Sequence, residues 1–373
     1  MNKKLNIFLT ILGVWFVLFL FLDWWNSFPK IKIVQVKNSQ QFSDKIDSIL
    51  QKSIVEYTLP GIGLGIVKEG KIIYQNSFGF QSLEPLDSFS TDSQFPIASI
   101  SKILTAIASA NHWSSKGIVS KDLISMIKSP KDPESEIGQL KIENLLRHTS
   151  GIQNPGLIEK IIFFRSSISL DEFGNEILKS DYKKPDSLFY TYSDINFDLL
   201  GYLLQQSANL PFEKYLKENV LLPAGMVNSY FTKAWPEKNN SMTGYQETFV
   251  WKRIQPKKLK FERLPSPSSG LITSIGEMNL FMIHLLRGEM GIFQNELRWL
   301  NPTKSNLPMG FQEIKVNDES WLGHFGGQAG YSSLLLFAPQ KKIGIILFSN
   351  ARDTKGFRTK ILSQVLQVLT PTK

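Results

Sequence analysis

Cysteine is absent from all 373 residues of this chain, and histidine occurs only four times. The lack of thiols excludes disulfides, thiol catalysis and thiolate metal sites, and it removes the lipid-attachment cysteine of bacterial lipoproteins. His112 and His284 have no second ligand at a metal-binding spacing. The segment 323–330 is rich in glycine but lacks the Gly-Lys-Ser/Thr of a phosphate loop. The sequence therefore predicts neither a metal nor a cofactor.

A strong bias in charge is also missing, because only 20% of the residues are charged and 42% are hydrophobic. This composition is ordinary for a globular protein with a large core. The net charge of +9 comes from 42 Lys and Arg against 33 Asp and Glu. Only the stretch from Lys252 to Arg263 is densely basic, and a scattered surplus is typical of a solvated surface. We expect no nucleic-acid partner.

Long apolar runs are confined to the N-terminus, where residues 7–22 follow Lys3 and Lys4. As a helix this run spans about 24 Å, and Trp24 and Trp25 extend it towards the ~30 Å of a hydrocarbon core. A cleaved signal peptide is the alternative, but no pair of small residues follows the run. Segment 1–30 is thus predicted to be a single-pass membrane anchor, or a signal removed on secretion. Either way the body lies on the periplasmic or extracellular side.

Strand-like patterns occur near both ends of the chain. They cover residues 63–67, 71–75, 332–337 and 343–348. The first pair reads as a hairpin that turns at Glu69-Gly70, and the middle of the chain is mainly helical in pattern. For residues 31–373 the sequence predicts an α+β fold with one antiparallel sheet built from both chain ends and flanked by helices. A helical lobe, roughly residues 105–285, is inserted between the two ends.

The pattern Ser-x-x-Lys occurs three times, beginning at Ser99, Ser125 and Ser180. Only Ser99 leads into a long apolar helical pattern, because prolines closely follow the other two matches. In the first turn of such a helix, unpaired backbone N–H groups and the helix dipole favour negative charge. Lys102 lies one turn further along the same face, so its amine can reach the Ser99 hydroxyl. Ser99 is the predicted nucleophile, with a helix cap as the structural alternative.

Four short motifs lie in this order along the chain: Ser99-Ile-Ser-Lys102, Leu145-Leu-Arg-His-Thr-Ser-Gly151, Tyr192-Ser-Asp194 and His324-Phe-Gly326. Together they resemble the motifs of the penicillin-recognising serine hydrolases. The most similar branch contains class C β-lactamases, D-alanyl-D-alanine carboxypeptidases and related esterases. The likeness extends from about Leu59 to Asn350, and it implies the β-lactamase/transpeptidase-like fold.

The resemblance implies a catalytic role for three side chains. Ser99 would attack a carbonyl and form an acyl-enzyme. Lys102, with a pKa lowered by its apolar neighbours, would help to take the serine proton. Tyr192 would pass that proton to the leaving group. These three residues are the expected catalytic set.

The resemblance also implies the substrate-binding positions. The backbone N–H groups of Ser99 and Gly327 would hold the oxyanion, with Gly327 on the strand that continues from Gly326. His324 takes the place of a lysine or histidine that closes the far wall of the cleft. His148, in the second motif, is expected to be structural rather than catalytic.

Two positions depart from the family pattern. Asp194 stands where asparagine is usual, and a carboxylate near Lys102 would favour the ammonium form and shift the role of base to Tyr192. Phe325 stands where a Thr or Ser hydroxyl usually helps to bind the substrate carboxylate. Phe325 is therefore expected to make this wall of the cleft apolar, which favours esters or uncharged amides.

Three functions are compatible with these features. The leading hypothesis is an exported serine hydrolase that acts on a small-molecule or peptidoglycan-derived ester or amide. A D-alanyl-D-alanine carboxypeptidase or weak β-lactamase is the enzymatic alternative. A catalytically feeble cell-envelope binding protein is the alternative of another class, although the presence of Ser99, Lys102 and Tyr192 argues against it.

Overall fold

A computed structural model of the chain describes residues 3–25, 27–31, 41–120, 122, 124, 136–154, 167–180, 182, 189–232, 242–261, 263–288, 291–301 and 308–369. Its helices are α1 (Lys3–Trp24), α2 (Phe42–Tyr57), α3 (Ser101–Ser115), α4 (Ile142–Leu146), α5 (Leu170–Leu178), α6 (Asp194–Ala208), α7 (Phe212–Leu216), α8 (Ile275–Arg287), α9 (Gln294–Leu300) and α10 (Phe357–Leu369). Its strands are β1 (Gly61–Lys68), β2 (Lys71–Leu83), β3 (Leu86–Ser88), β4 (Phe95–Pro96), β5 (Ile168–Ser169), β6 (Tyr230–Phe231), β7 (Tyr245–Glu247), β8 (Ile254–Pro256), β9 (Arg263–Leu264), β10 (Leu271–Thr273), β11 (Gln312–Val316), β12 (Glu319–Gln328), β13 (Tyr331–Ala338) and β14 (Ile343–Ser349).

Strands from both ends of the chain form one seven-stranded sheet in the order β11-β12-β13-β14-β1-β2-β3. Every neighbouring pair is antiparallel. The two ends of the chain meet where β1 pairs with β14, with Ile62 opposite Ser349 and Lys68 opposite Ile343. Between β1 and β2 the chain turns at Glu69 and Gly70, both with positive φ. The predicted α+β fold with an antiparallel sheet built from both chain ends is confirmed.

The two faces of the sheet carry different residues because strand side chains alternate. On one face, fully buried Ile62, Leu64 and Ile66 share a core with α2 and α10. On the other face β1 presents Gly63 and Gly65 to α8. A Cβ at Gly65 would lie 2.2 Å from Oδ1 of Asn279. Glycine at this position therefore allows α8 to lie directly on the sheet.

The middle of the chain contains helices together with short strands. The strands pair as β4-β10-β6, as parallel β5-β9 and as β7-β8, and each covers only two or three residues. Such pairs are too short to produce a recognisable period in the sequence. The helix α8, which falls within the predicted lobe at 105–285, contacts β1 and β14. The largest core cluster joins this helical part to the sheet.

Helix α1 stands apart from the two cores, and none of its residues is buried. Among the described residues it is the one helix long and apolar enough to cross a membrane, with a mean hydropathy of 2.5. Its 22 residues correspond to a length of about 33 Å. The helix is longer than the apolar run in the sequence because it begins at Lys3 and continues to Trp24.

Replacing Gly65 with alanine is expected to destabilise the fold by about 1–3 kcal/mol, as for other overpacked interiors. The new methyl group would displace the buried side chain of Asn279, whose Nδ2 donates to Oε1 of Gln75 at 2.9 Å. Gly276→Ala, on α8, is the matched control. A Cβ there would have its closest contact at 3.4 Å, so neutral or slightly higher stability is expected. Denaturant unfolding of the purified proteins measures both, and equal stability of the two variants would contradict this packing.

Candidate active site

Ser99 lies in a 3₁₀ turn, Ala98–Ile100, that runs directly into α3. Ala98 has a φ of +51°, a left-handed conformation that is uncommon for residues other than glycine. This sharp turn leaves Ser99 partly exposed between two buried neighbours. The α-helix itself begins at Ser101, so Ser99 precedes the first α-helical turn instead of lying within it. The three-residue spacing to Lys102 still places both side chains together.

The turn that carries Ser99 is held against β12 and β13. The Ser333 hydroxyl on β13 donates to the carbonyl of Ile97 at 2.8 Å. On β12, a Cβ at Gly326 would lie 2.2 Å from the same carbonyl oxygen and 2.1 Å from Oγ of Ser333. Gly326 is therefore required for the close approach of the turn, and this approach brings Ser99 to the sheet.

The Lys102 side chain is completely buried and donates three hydrogen bonds. Its Nζ lies 3.1 Å from Oγ of Ser99, 2.7 Å from Oδ1 of Asp194 and 3.0 Å from the carbonyl oxygen of Ser268. An ammonium group has three N–H donors, so each has an acceptor here. The serine and the lysine of the first motif are thus in direct contact.

The pKa of Lys102 is raised above its ordinary value. Burial acts to lower this pKa, but the nearby Asp194 carboxylate, together with Tyr192, outweighs it. The expectation that apolar neighbours lower the pKa of Lys102 is therefore wrong, whereas the expectation that the Asp194 carboxylate favours the ammonium form agrees with this direction. For Asp194 the balance is the reverse. Burial alone would raise the pKa of its carboxyl, whereas Lys102 brings it below the usual range.

Tyr192 and Asp194 reach the same point from the start of α6. Nζ of Lys102 lies 5.0 Å from the centre of the Tyr192 ring. Ser193 is the residue that precedes α6, and Asp194 is the first residue of the helix. Oδ1 of Asn154 accepts hydrogen bonds from the Asp194 N–H at 2.9 Å and from the Ser193 hydroxyl at 3.2 Å. This contact fixes the helix start, and with it the position of both functional side chains.

His148 holds the Tyr192 segment from the opposite side. Its Nδ1 accepts a hydrogen bond from the Ser193 N–H at 3.2 Å, and its carbonyl accepts from the Thr191 N–H at 2.8 Å. The imidazole also packs on the Tyr192 ring, with centroids 4.5 Å apart. Burial and, secondarily, Lys102 lower the pKa of His148 to about 4, so the ring is neutral at neutral pH. The only sequence signal for this positioning role is the second motif, from which a structural His148 was expected.

A buried ion pair that the sequence did not reveal supports the third acceptor of Lys102. Asp198 pairs with Arg263, and Oδ1 of Asp198 accepts from the Ser268 N–H at 2.8 Å. The carbonyl of Ser268 is the group that accepts from Lys102. Asp198 lies one helical turn after Asp194, so the same helix supplies the partner of Lys102 and the support for its neighbouring loop. No motif marks either Asp198 or Arg263.

His324 and Phe325 project to opposite faces of β12. His324 is buried, with its ring centre 6.1 Å from that of Tyr192, and its Nδ1 donates to the Phe325 carbonyl at 2.6 Å. Burial and then Lys102 lower the pKa of His324 to about 3. The Phe325 ring instead packs with the α2/α10 core, and the guanidinium of Arg358 on α10 lies 5.0 Å from its centre. The expectation that Phe325 forms an apolar wall of the cleft is wrong, because strand alternation turns it to the other face.

The edge of β12 beside Ser99 extends past its partner strand. β11 pairs with β12 only from Glu319 to Gly323. The N–H of Phe325 points to this edge, because it donates to Oε1 of Gln312 on β11 at 3.3 Å. The N–H groups of alternate residues in a strand point the same way, so that of Gly327 is directed to the same edge. A Cβ at Gly327 would meet no atom within 4 Å, which leaves open space there.

Of the two other Ser-x-x-Lys matches, Ser125, Lys128 and Lys183 lie outside the described residues. Ser180 is exposed, and its hydroxyl donates to the Ile177 carbonyl at 2.7 Å, as at an ordinary helix end. Among the described residues no group of three or more His, Cys, Asp or Glu side chains could hold a metal ion.

Comparison with known proteins adds family evidence to this geometry. The family model described as Beta-lactamase matches residues 42–369. The chain is 23% identical over 327 residues to the protein flp of Staphylococcus aureus, which covers 84% of this chain and 63% of that protein. It is 25% identical to the putative penicillin-binding protein PbpX of Bacillus subtilis, covering 86% of this chain and 80% of PbpX. The chain thus spans less than two thirds of the length of flp.

Solved structures show the same fold at low sequence identity. A β-lactamase from Sulfitobacter sp. EE-36 superposes with a TM-score of 0.72 at 17% identity, covering 89% of this chain and 99% of that one. The octameric penicillin-binding protein homologue from Pyrococcus abyssi gives 0.70 at 21% identity, covering 87% and 76%. At this identity the likeness concerns the fold alone.

Acid is expected to destabilise the protein through its buried neutral histidines. In the unfolded chain histidine titrates near 6.5, whereas the pKa of folded His148 is about 4. Below pH 6.5 the unfolded state therefore binds a proton that the folded state does not, and stability falls as the pH falls towards 4. His148→Asn removes this titration, and asparagine tolerates the φ of +55° and can accept the Ser193 N–H. Denaturant unfolding at several pH values measures the free energy of unfolding. Between pH 6.5 and 4 this free energy should fall less steeply in the variant than in the wild type, by up to ~1.4 kcal/mol per pH unit. An equal slope in the two proteins would contradict a neutral His148 in the folded state.

Proposed function

Because the chain belongs to the Beta-lactamase family, we propose that it is an exported serine hydrolase that cleaves an uncharged ester or amide through an acyl-enzyme on Ser99. The observation that carries this proposal is the 3.1 Å contact between Nζ of Lys102 and Oγ of Ser99. A buried lysine beside a partly exposed serine has a chemical use, whereas a helix cap would not need it.

In the proposed acylation step, Oγ of Ser99 attacks the carbonyl carbon and its proton moves to Tyr192. Lys102 is held as an ammonium by Asp194, so it acts as a hydrogen-bond donor to Oγ and not as the base. The Tyr192 hydroxyl takes up the serine proton as it passes its own proton to the leaving group, so the phenol is regenerated within the step. A water molecule subsequently hydrolyses the ester on Ser99, with Tyr192 again in the path of the proton.

The tetrahedral intermediate carries a negative oxygen, and two backbone donors are proposed to bind it. The Ser99 N–H lies at the start of a helical segment, where the dipole favours negative charge. The Gly327 N–H lies on the free edge of β12. Preorganised donors of this kind each contribute about 2.7–4 kcal/mol to catalysis.

The charges around Ser99 favour a substrate without a carboxylate. Lys102 is neutralised by Asp194 at 2.7 Å, and His324 is neutral because burial lowers its pKa to about 3. Phe325 has no hydroxyl and faces α10. At positions 324 and 325 the strand β12 thus offers neither a cation nor a side-chain hydroxyl to a carboxylate, which separates the proposed activity from that of a carboxypeptidase or a β-lactamase.

The location proposed for this reaction is the outer side of a membrane. Helix α1 is exposed, apolar and about 33 Å long, and basic Lys3 and Lys4 are at its start. A retained single-pass anchor would leave the hydrolase domain on the periplasmic or extracellular side. The substrate would then be a small or peptidoglycan-derived ester or amide of the cell envelope.

Ser99→Ala is expected to abolish labelling by a fluorophosphonate and to reduce p-nitrophenyl ester turnover by ~10³-fold or more. Ser180→Ala, at another Ser-x-x-Lys match, is the control and should retain both. The same proteins are treated with labelled penicillin and a chromogenic cephalosporin, because one relative is named a putative penicillin-binding protein. Ester turnover without cephalosporin turnover supports the proposal. Efficient cephalosporin hydrolysis would assign the β-lactamase alternative, and a wild type that reacts with none of the probes would assign the binding-protein alternative.

Asp194→Asn is expected to shift the alkaline limb of the pH–rate profile to lower pH. Asparagine keeps an acceptor for Lys102 but removes the charge that raises the lysine pKa, so burial dominates and this pKa falls. The ammonium is then lost at lower pH, and activity with it. The rate of fluorophosphonate labelling between pH 6 and 11 measures the shift, with Asp171→Asn on the exposed start of α5 as the control. If the acidic limb moves instead, Lys102 acts as the base and the proposed division of roles is wrong.

A further inference from the structure

The β7–β8 hairpin ends in a tip of three exposed apolar residues. Phe249, Val250 and Trp251 are 76%, 40% and 50% exposed, although they are adjacent in sequence. We call these three residues the apolar tip. The base of the hairpin packs against the body of the protein, because the Tyr245 ring is buried and its hydroxyl accepts a hydrogen bond from the Leu83 N–H at 2.7 Å. Two aromatic rings exposed together at the end of a well-packed hairpin are typical of a surface that contacts an apolar partner.

The apolar tip is attached to the last turn of α1 through one carboxylate. Asp23 accepts the backbone N–H groups of Phe249 at 2.7 Å, Val250 at 2.8 Å and Trp251 at 3.0 Å. A carboxylate near a helix C-terminus is unfavourable by itself because it faces the negative end of the dipole. Three consecutive N–H donors form a site that compensates for this.

The chain that follows α1 is tied to the same hairpin. Arg253 donates to Oγ of Ser27 at 2.7 Å and to its carbonyl at 2.8 Å. Phe28 and Ile254 exchange backbone hydrogen bonds as in an antiparallel pair. The end of α1 is therefore built into the folded body, which indicates that α1 is retained in the working protein.

The contacts also set the height of the apolar tip along α1. The ring of Phe249 lies 6.3 Å from that of Phe19, and Nε1 of Trp251 donates to the Leu20 carbonyl at 3.0 Å. Phe19 lies five residues before Trp24, or about 7.5 Å further along the helix axis. If Trp24 marks the interface, the tip is level with the outer edge of the hydrocarbon core.

Basic residues follow the apolar tip directly. Lys252 is exposed, and the guanidinium carbon of Arg253 lies 5.5 Å from the centre of the Trp24 ring. Basic residues placed beside aromatic residues that enter the bilayer are typical of proteins that lie on anionic lipid headgroups. These two positive charges thus lie where anionic headgroups would meet the apolar tip.

We propose that the apolar tip inserts into the outer leaflet beside α1 and forms a second membrane contact of the catalytic domain. This inference rests on the proposed membrane anchor. The bilayer is the occupant favoured by the structure because the tip is continuous with the one apolar helix of the described residues and lies at its interfacial end. Two contacts restrict rotation about the anchor, so the cleft is held at a fixed height above the lipid.

The absence of cysteine makes a direct test possible, since any introduced cysteine is the only thiol. Val250→Cys in the full-length protein is labelled with an environment-sensitive fluorophore and reconstituted in vesicles of zwitterionic and anionic phospholipid. Lipids with a nitroxide on the upper acyl chain should quench most of its emission. Val14→Cys, in the middle of α1, is the positive control, and Leu86→Cys, 68% exposed on β3, is the negative control.

Each outcome bears on a different part of the proposal. Quenching at position 14 but not at 250 overturns the second contact and leaves the anchor, whereas no quenching at either position overturns both. A label at 250 that is shielded from water but not quenched places a protein against the tip and overturns the bilayer as occupant. Asp23→Ala should reduce quenching at 250 and leave it unchanged at 14, and equal quenching at 250 would refute the role of Asp23. None of these readouts depends on hydrolase activity, so they stand apart from the test of Ser99.

Discussion

The buried ammonium of Lys102 is the group on which the arrangement of the site depends. A charge without solvent must be paired and hydrogen-bonded, or it loses its proton. Its three acceptors come from the turn before α3, from the start of α6 and from the loop before β10. Satisfying one cation thus requires three separate parts of the chain to meet at Ser99. The same requirement explains why Asp198, which holds the Ser268 segment, and Asn154, which holds Asp194, take part in building the site.

Close backbone approach is the second constraint, and glycine provides it at two places where a helical segment meets the sheet. Gly326 allows the Ser99 turn to reach β12, and Gly65 allows α8 to lie on β1. Both contacts would be blocked by a single Cβ. The sheet therefore supports the turn that carries Ser99, and the edge of β12 at Gly327 is the proposed place of the second oxyanion donor.

The charges at the site support the proposed preference for uncharged substrates. Lys102 and Asp194 cancel each other, and burial keeps His148 and His324 neutral. The proposed neutral esters and amides would therefore bind without a penalty for an unpaired ion. A substrate carboxylate would need a partner that His324 and Phe325 do not offer. The membrane contact proposed at the other end of the β7–β8 hairpin would place this neutral cleft near the lipid surface.

Local features of the structure could be predicted from the sequence because they depend on residues close together in the chain. The contact of Ser99 with Lys102 follows from three-residue spacing on a helical segment, and the apolar run from residue 7 to 22 marks α1. The strand patterns at both ends were also sufficient for the antiparallel sheet, since β1 and β14 are each continuous apolar runs.

What only the tertiary structure decided involves groups distant in sequence. The pKa of Lys102 depends on the balance between burial, which lowers it, and Asp194, 92 residues away, which raises it, and the sequence offered both effects without deciding between them. The side of β12 that Phe325 occupies depends on the register with β13 and on α10. Asp23 accepts the N–H groups of residues 249–251, which lie 226 or more residues away in the chain. A sequence pattern describes the neighbours of a residue along the chain, whereas charge, burial and facing depend on neighbours in space.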